Sequence, residues 1–313
     1  MSGPATPIIT VSRLTKRFAK VTAVDMVSFV VSPGEIFGLV GPDGSGKTST
    51  MRMLAGVMRP DEGGIVVDGV DVLSDRETVR LHISYMPQRF GLYEDLTVDE
   101  NIRFYAELFE VPRAVREQRS QQLLAASGMT GFRTFLAGQL SGGMKQKLGL
   151  TCALVHAPKI LLLDEPTTGV DPVSRRDFWR ILYGLRDEGV TIVISTAYLD
   201  EAERCDRLVL LQGGRARYCD TPTALKERMP GALIAVRSSE GRAVRDVISG
   251  LPGVSHVILV GDGVHAVVDD AALRMPQLIE ALLLARVPYA DIAEATPSME
   301  DVFLALLEVG DAP

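Results

Sequence analysis

Apolar residues recur along this chain with two different periods, and the points where the period changes mark its elements. Short β-type runs over 8–14 and 24–31 come first, and the apolar run 35–40 reads as a strand buried on both faces. Met and Leu then return at helical spacing over 48–57. The segment 65–70 reads as a hairpin turning at Asp68-Gly69. From Thr97 the pattern is helical: Thr97 with Glu100 forms a capping box, and Val98, Ile102, Tyr105 and Phe109 mark one face. This all-helical stretch extends to about Gly138. Strands follow over 160–163, 191–194 and 208–211. Between them a helix opens at Asp171-Pro172, with Pro at its first position and Phe178, Ile181, Leu182 and Leu185 turned inward. The pattern predicts an α/β domain whose parallel-sheet core is interrupted by a helical insertion over about 95–140.

After a turn-rich hairpin at 212–215 and a helix over 223–229 the pattern resets. Strands over 232–237, 254–260 and 264–268 and helices over 243–251 and 273–285 predict a small α+β domain at 231–313, separate from the first at 1–230. Length agrees, since 313 residues exceed one ordinary domain, and 46% hydrophobic residues supply core for two. The net charge of −7, with no polybasic block, disfavours nucleic acid or an anionic lipid surface as the main partner. The longest apolar runs, such as 160–163 and 281–285, fall far short of the roughly 20 residues a spanning helix needs. The N-terminus lacks a signal peptide's basic-then-apolar layout. The expectation is a cytoplasmic chain that meets a membrane only through another protein. Cys152, Cys205 and Cys219 are scattered without CxxC or Cys/His pairing, which predicts small apolar fillers, not metal ligands or disulfides.

Candidate chemistry concentrates at three places. The run Gly41-Pro42-Asp43-Gly44-Ser45-Gly46-Lys47-Thr48 matches the phosphate-cradling pattern G-x-x-x-x-G-K-[ST] and stands between a strand and a helix, the context that pattern requires. There the glycines let backbone N–H groups face phosphates and the helix N-terminus adds its positive end. Lys47 supplies a point charge, and the Thr48 hydroxyl can ligate Mg²⁺. The strand 160–163 delivers Asp164 and Glu165 at its carboxyl end, where open α/β sheets place their ligands. Adjacent strand residues point to opposite faces, so Asp164 would hold the ion while Glu165 polarises an attacking water from the other side; the plainer reading of such a pair is a helix cap or a solvated turn. Ser141-Gly142-Gly143 opens another helix N-terminus stripped of side chains, continued by Met144, Leu148 and Val155. It reads plainly as a Ser N-cap with flexible glycines. Two anion-binding helix starts with one lysine-bearing loop suggest ATP sandwiched between two chains arranged head to tail, the loop of one facing Ser141-Gly142-Gly143 of the other.

Together the phosphate loop, Ser141-Gly142-Gly143-Met144-Lys145-Gln146 and the run from Leu162 through Asp164, Glu165 and Asp171 to Pro172 resemble the ATPase subunit of an ABC transporter, in that family's order, over roughly 6–230. The resemblance implies a P-loop NTPase of ABC type, with a parallel-sheet core, N-terminal antiparallel strands and a helical insertion. It implies that Gly41 to Thr48, with the following Ser49, hold ATP, that Glu165 and Lys47 are catalytic, and that Thr48, Asp164 and Gln88 attend Mg²⁺. Phe18 resembles the aromatic that stacks on adenine, Gln88 the glutamine that senses Mg²⁺ and couples to the membrane subunits, and Asp171 the acidic residue that contacts the opposite protomer. Plainer readings are core for Phe18, a turn residue for Gln88 and an N-cap for Asp171. The implied partners are an integral membrane permease and a second ATP-binding domain, from this chain or a sibling cassette.

Two positions depart from the family. Ala197 stands where a histidine usually contacts the γ-phosphate, and a methyl group cannot replace it; losing one positioned polar group there costs on the order of a hundredfold in rate. Asp43, where Asn is more frequent, adds negative charge near the phosphates. Glu165 is intact. The expectation is slow hydrolysis, or a chain working beside a sibling that bears the histidine, with Tyr198 or Ser195 as the alternative source of the missing group. The segment 297–307 resembles the C-terminal extension of ATPases serving drug and polyketide-antibiotic exporters, a dimer-stabilising or regulatory element, and Ser298 with Asp301 fits a capping box. The leading function is therefore an ATP-driven motor subunit of an exporter, with Gln88 and the helical insertion presenting a groove to the membrane partner. The alternatives are a non-hydrolysing nucleotide-binding regulatory or scaffold subunit, motivated by Ala197, and a soluble ABC ATPase acting on ribosomes or DNA. Relatives of that last kind commonly carry tandem cassettes or basic arms, which this acidic single cassette lacks.

Overall fold

The computed structural model describes residues 6–89 and 91–308 and divides the chain into two units, Met1–Cys219 and Asp220–Pro313. The division falls before the helix at Pro222–Glu227, where the sequence pattern placed it after, because that helix packs on the last helix of the second unit. Among the described residues no helix is long and apolar enough to cross a membrane.

In the first unit, β1 (Ile9–Phe18), β2 (Val21–Val31), β3 (Ile36–Val40), β4 (Glu62–Val67), β5 (Val70–Asp71), β6 (Ile83–Met86), β7 (Ile160–Asp164), β8 (Thr191–Thr196), β9 (Arg207–Gln212) and β10 (Arg215–Asp220) form two sheets. One is antiparallel, in the order β2-β1-β4-β5. Its β4–β5 turn has positive φ at both Asp68 (47°) and Gly69 (79°), as a two-residue Asp-Gly hairpin demands. The other runs β10-β9-β3-β8-β7-β6 and is parallel from β9 to β6. Every residue of β3, β7 and β8 is buried, which is why these strands read as continuous apolar runs. The two sheets meet over α1 (Lys47–Leu54), and Phe29 of one stacks on Phe37 of the other at 5.2 Å between centroids. Burying each such large side chain contributes about 1.5–3 kcal/mol.

The short α2 (Arg76–His82) and the edge strand β6 had no clear sequence signal. The insertion is built of α3 (Val98–Leu108), α4 (Arg113–Ala126) and two single 3-10 turns. Its core of Val98, Ile102, Ala106 and Leu124 packs on Leu148, Cys152 and Val155 from and just beyond α5 (Gly142–Leu154). The predicted capping box is present: Glu100 N–H donates to Thr97 Oγ1 (3.2 Å) and Thr97 N–H to Glu100 Oε2 (2.8 Å). Phe109 terminates α3 and stacks on His156 at 3.8 Å between centroids. Beyond β7 come α6 (Pro172–Asp187) and the single-turn α7 (Leu199–Ala202). Of the four residues expected on the inner face of α6, Phe178, Leu182 and Leu185 are buried and Ile181 is half-buried; Trp179 joins them, fully buried.

The second unit contains α8 (Pro222–Glu227), β11 (Ala232–Arg237), α9 (Gly241–Ile248), β12 (Val254–Val260), β13 (Gly263–Val268), α10 (Ala271–Leu284), β14 (Asp291–Ala295) and α11 (Met299–Glu308). From β11 to β14 this is a βαββαβ chain whose antiparallel sheet runs β12-β13-β11-β14, the ferredoxin-like split arrangement. One sheet face, with Ile234, Val236, Val264 and Ala266, packs on Val244, Ile248, Leu278 and Leu282 of α9 and α10. His265, one residue out of phase and so on the other face, lies 3.0 Å from the buried Asp301 of α11. Asp301 also closes the expected capping box, accepting from Ser298 N–H (2.8 Å) while its own N–H donates to Ser298 Oγ (3.2 Å). Edge strand β14, with one large apolar residue, escaped the sequence pattern.

The hydrogen bond to the Asp301 carboxylate holds the His265 imidazole above its ordinary value of 6.5. Burial pushes Asp301 upward, but the bonds from His265 and Ser298 prevail and hold it below 3.8. A raised histidine stabilises most below its unfolded value and loses that contribution as pH rises through its folded one; a depressed carboxylate contributes above its unfolded value and loses it in acid. The pair therefore acts at mildly acidic pH and fades on the alkaline side. Replacing His265 with Gln should lower hydrogen-exchange protection of α11 clearly at pH 6, and the deficit relative to wild type should shrink above the folded pKa of His265. Asp301→Ala should cost on the order of 3 kcal/mol near pH 6 by the same measurement.

Candidate functional site

The loop joining β3 to α1 is shaped by its glycines, two of which have no room for a side chain. Gly46 precedes α1 at φ 101°, and a methyl on it would run into the carbonyl of Ala23, as one on Gly41 would into that of Leu211. Gly44 is also left-handed (φ 77°). Only 3% of Lys47 is exposed, since its ammonium is enclosed by its own loop. It donates to the carbonyls of Gly41 (2.9 Å) and Pro42 (3.0 Å) and lies 3.2 Å from Glu165 Oε1.

Two acidic residues meet this loop from the end of β7. Asp164, buried, accepts from Ser195 Oγ (2.7 Å) and Thr48 Oγ1 (3.1 Å) on one oxygen and from the Tyr85 hydroxyl (3.2 Å) on the other. Burial first, then the Asp164 charge, pushes the Tyr85 phenol up to about 12, so Tyr85 acts as a donor throughout the physiological range. The next residue corrects an expectation. Glu165 lies one step beyond the strand at φ 49°, so the alternation that would send it to the opposite face no longer applies. Its carboxylate turns back to Lys47, accepting also from Gln88 Nε2 (3.0 Å) and Thr168 Oγ1 (3.5 Å). Asp164 and Glu165 thus attach to the adjacent residues that open α1, Thr48 and Lys47. Ser195, opposite Asp164 in the β7–β8 register, makes this possible. Its hydroxyl donates to Asp164 and accepts the Glu165 N–H (2.9 Å), and its carbonyl lies 3.1 Å from that same nitrogen.

One cavity of about 730 Å³ gathers Phe18, Asp43, Gly44, Gly46, Lys47, Thr48, Ser49, Gln88 and Glu165 on its walls, together with Ala197 and Tyr198. Phe18 is 44% exposed, so it is no core residue. Gly41, Pro42 and Ser45 belong to the loop without facing that space, and Asp164 reaches it through Thr48. Of the two groups considered in place of a histidine, Ser195 is fully buried and occupied by Asp164 and Glu165, whereas Tyr198 lines the cavity with Arg175 4.2 Å over its ring.

The structure does not bring Ser141, Gly142, Gly143 or Asp171 to this cavity. Ser141 caps α5 through the Met144 N–H (3.3 Å), and a methyl on Gly143 would strike Ser174 of α6. Asp171 caps α6, accepting from the Val173 and Ser174 N–H groups (3.0 Å each), and the bonds from Ser174 hold its carboxyl below the usual range.

Among the described residues no three His, Cys, Asp or Glu side chains could together hold a metal ion. What the site offers is a hydroxyl and a carboxylate, Thr48 and Asp164, 3.1 Å apart. That all-oxygen pair suits Mg²⁺, which keeps waters and completes its shell from substrate phosphates. Burial pushes the thiols of Cys152 and Cys205 up, so both pack as inert apolar groups. Sequence reasoning overlooked Tyr85, which sits on the unrecognised strand β6, and it named Ser195 only as a substitute for the histidine.

A glycine-rich loop that opens a helix, faced by acidic residues from the end of a parallel strand, defines a P-loop nucleotide-binding protein. The profile of the ABC transporter family matches residues 24–168. The chain is 43% identical over 304 residues to the probable multidrug ABC transporter ATP-binding protein YbhF of Escherichia coli (strain K12), covering 96% of this chain and 52% of that protein. It thus spans about half the length of that relative. It is 34% identical to the Nod factor export ATP-binding protein I of Rhizobium etli (94% of this chain, 92% of that one). It is 33% identical to the daunorubicin resistance ATP-binding protein DrrA2 of Streptomyces coeruleorubidus, with the same coverage of each chain, 94% and 92%. A solved ATP-binding subunit of an ABC transporter superposes with a TM-score of 0.64 at 31% identity, over 71% of this chain and 92% of that one. A dimeric cassette, MJ0796, gives 0.63 at 25%, over 68% and 98%. The chain belongs to the ATP-binding subunits of the ABC transporter family.

Gly46→Ala should force both a strained φ and a collision with Ala23, at a cost of roughly 1–3 kcal/mol. The expected result is a lower melting temperature together with loss of ATP binding by calorimetry.

Proposed function

We propose that this chain is the ATP-binding and ATP-hydrolysing subunit of an exporter, driving an integral membrane permease from the cytoplasmic face as one half of a head-to-tail pair of cassettes. The observation that carries the reading is the convergence of Lys47, Thr48, Gln88 and Glu165 on one cavity with Phe18 on its wall. Relatives named for multidrug transport, Nod factor export and daunorubicin resistance support the export role.

In this reading Gly41, Pro42, Asp43, Gly44, Ser45 and Gly46, with Lys47, Thr48 and Ser49, wrap the phosphates with backbone N–H groups at the start of α1. Phe18 stacks on the adenine ring. Thr48 and Asp164, attended by Gln88, would hold Mg²⁺, which when bound neutralises charge on the phosphate oxygens. Glu165 orients and polarises the attacking water, and its bond from Gln88 ties the position of that base to the segment expected to meet the permease. Ser141, Gly142, Gly143 and Asp171, outside the chain's own cavity, are assigned to the nucleotide held by the partner cassette; that such a cassette can pair is supported by the dimeric MJ0796 structure. The second unit is assigned a regulatory or dimer-stabilising role.

Ala197 places a methyl on the cavity wall, and it favours a second reading in which the chain binds MgATP but turns it over too slowly to act without a sibling cassette. Steady-state hydrolysis by the purified chain at saturating MgATP, with Glu165→Gln as the blank, separates the two. Turnover close to the blank, raised at least about tenfold by Ala197→His, would support the impaired-site reading. Wild-type turnover far above the blank would establish a self-sufficient motor and overturn the impaired-site reading.

A further inference from the structure

Glu201 on α7 is a fully buried acid with no place in the roles assigned above. Its carboxylate accepts three hydrogen bonds: Thr167 Oγ1 (2.7 Å) and Trp179 Nε1 (3.1 Å) reach one oxygen, and Thr196 Oγ1 (2.7 Å) reaches the other. The donors come from three separate segments. Thr167 follows Glu165 by two residues in the loop that runs on to Asp171. Thr196 ends β8 directly before Ala197, and its hydroxyl also accepts the Tyr198 N–H (3.0 Å). Trp179 belongs to α6, and Arg175, about one turn earlier on that helix, lies over the ring of the cavity-lining Tyr198 and 3.7 Å from Glu201.

A carboxylate is costly to bury, and a mere filler of this space would be better apolar. What the carboxylate adds is a fixed relation between the two loops that flank the nucleotide cavity and the helix behind them. Glu165 needs such support. A non-glycine residue at φ 49° persists only where its surroundings over-determine it. Ser195 holds its N–H, and the bond from Thr167 to Glu201 anchors the chain two residues on.

We propose that Glu201 is a positioning residue of the nucleotide cavity, clamping the Glu165 and Ala197–Tyr198 segments to α6 so that movement at the phosphate end of the cavity is transmitted to Trp179. The proposal rests on the ATP-binding reading above.

Trp179 is the chain's only tryptophan and so reports directly on the clamp. MgATP is titrated against the full chain while tryptophan emission is followed, with calorimetry on the same samples. Emission of the wild-type chain should change along the calorimetric binding curve. Thr196→Val keeps the bond from Trp179 to Glu201 and cuts the tie to the Ala197 loop. It should bind MgATP within about threefold of wild type while losing roughly half or more of the emission response. Thr167→Val, cutting the opposite tie, should do the same, and Thr196→Ser, which restores the hydroxyl, should recover the response. A full response in both valine variants, or a silent wild-type tryptophan despite calorimetric binding, would overturn the clamp. No binding heat in the wild type would overturn the nucleotide reading itself, and the clamp with it.

Discussion

The site depends on two parallel strands ending level with one another. In the β7–β8 register Asp164 pairs with Ser195, and the Ser195 hydroxyl stands between the Asp164 carboxylate and the Glu165 N–H. That bridge lets the chain leave β7 in a left-handed turn, so that consecutive acids reach Thr48 and Lys47 together and do not diverge across the sheet. The burial of β3, β7 and β8 on both faces makes their carboxyl ends rigid points from which short loops project. Phosphate loop, acidic pair and Ala197 loop all project from that edge.

Around this frame the remaining parts follow from local physics. Glycines in the loop are required where carbonyls of Ala23 and Leu211 approach. The helical insertion is tied to the α/β core through α5, whose Leu148 and Cys152 complete the insertion's own hydrophobic cluster. Gly143 then lets α5 approach Ser174 of α6. The close fit of α5 to α6 thus depends on the same glycine-rich segment that opens α5.

Much of this was legible in the chain because the relevant signals are local. Continuous apolar runs gave away the buried parallel strands, Asp68-Gly69 its turn, and Thr97 with Glu100, Ser298 with Asp301 and Asp171-Pro172 their helix starts, each through a hydrogen bond spanning only a few residues. The loop lies between β3 and α1, and Asp164 ends β7, as the apolar runs on either side of them indicate. What could not be read is set by neighbours distant in sequence. Strand β6 is four residues held by β7, and β14 is an edge held by β11. The turn at Glu165 defeats strand alternation because its left-handed φ is imposed by β8. Glu201 lies in the acidic run Asp200-Glu201-Ala202-Glu203, and only the packing of α6 decides which of these acids is buried.

Lys47 offers a last consequence. A lysine held by the carbonyls of Gly41 and Pro42 and by Glu165 is not an open positive charge waiting for any anion. A small ion that reached only the ammonium would exchange one set of partners for another and gain little net free energy. A polyphosphate long enough to reach the ammonium and the loop's N–H groups together would gain from both. The lysine's own satisfied state is therefore the competitor that any anion entering the loop must displace.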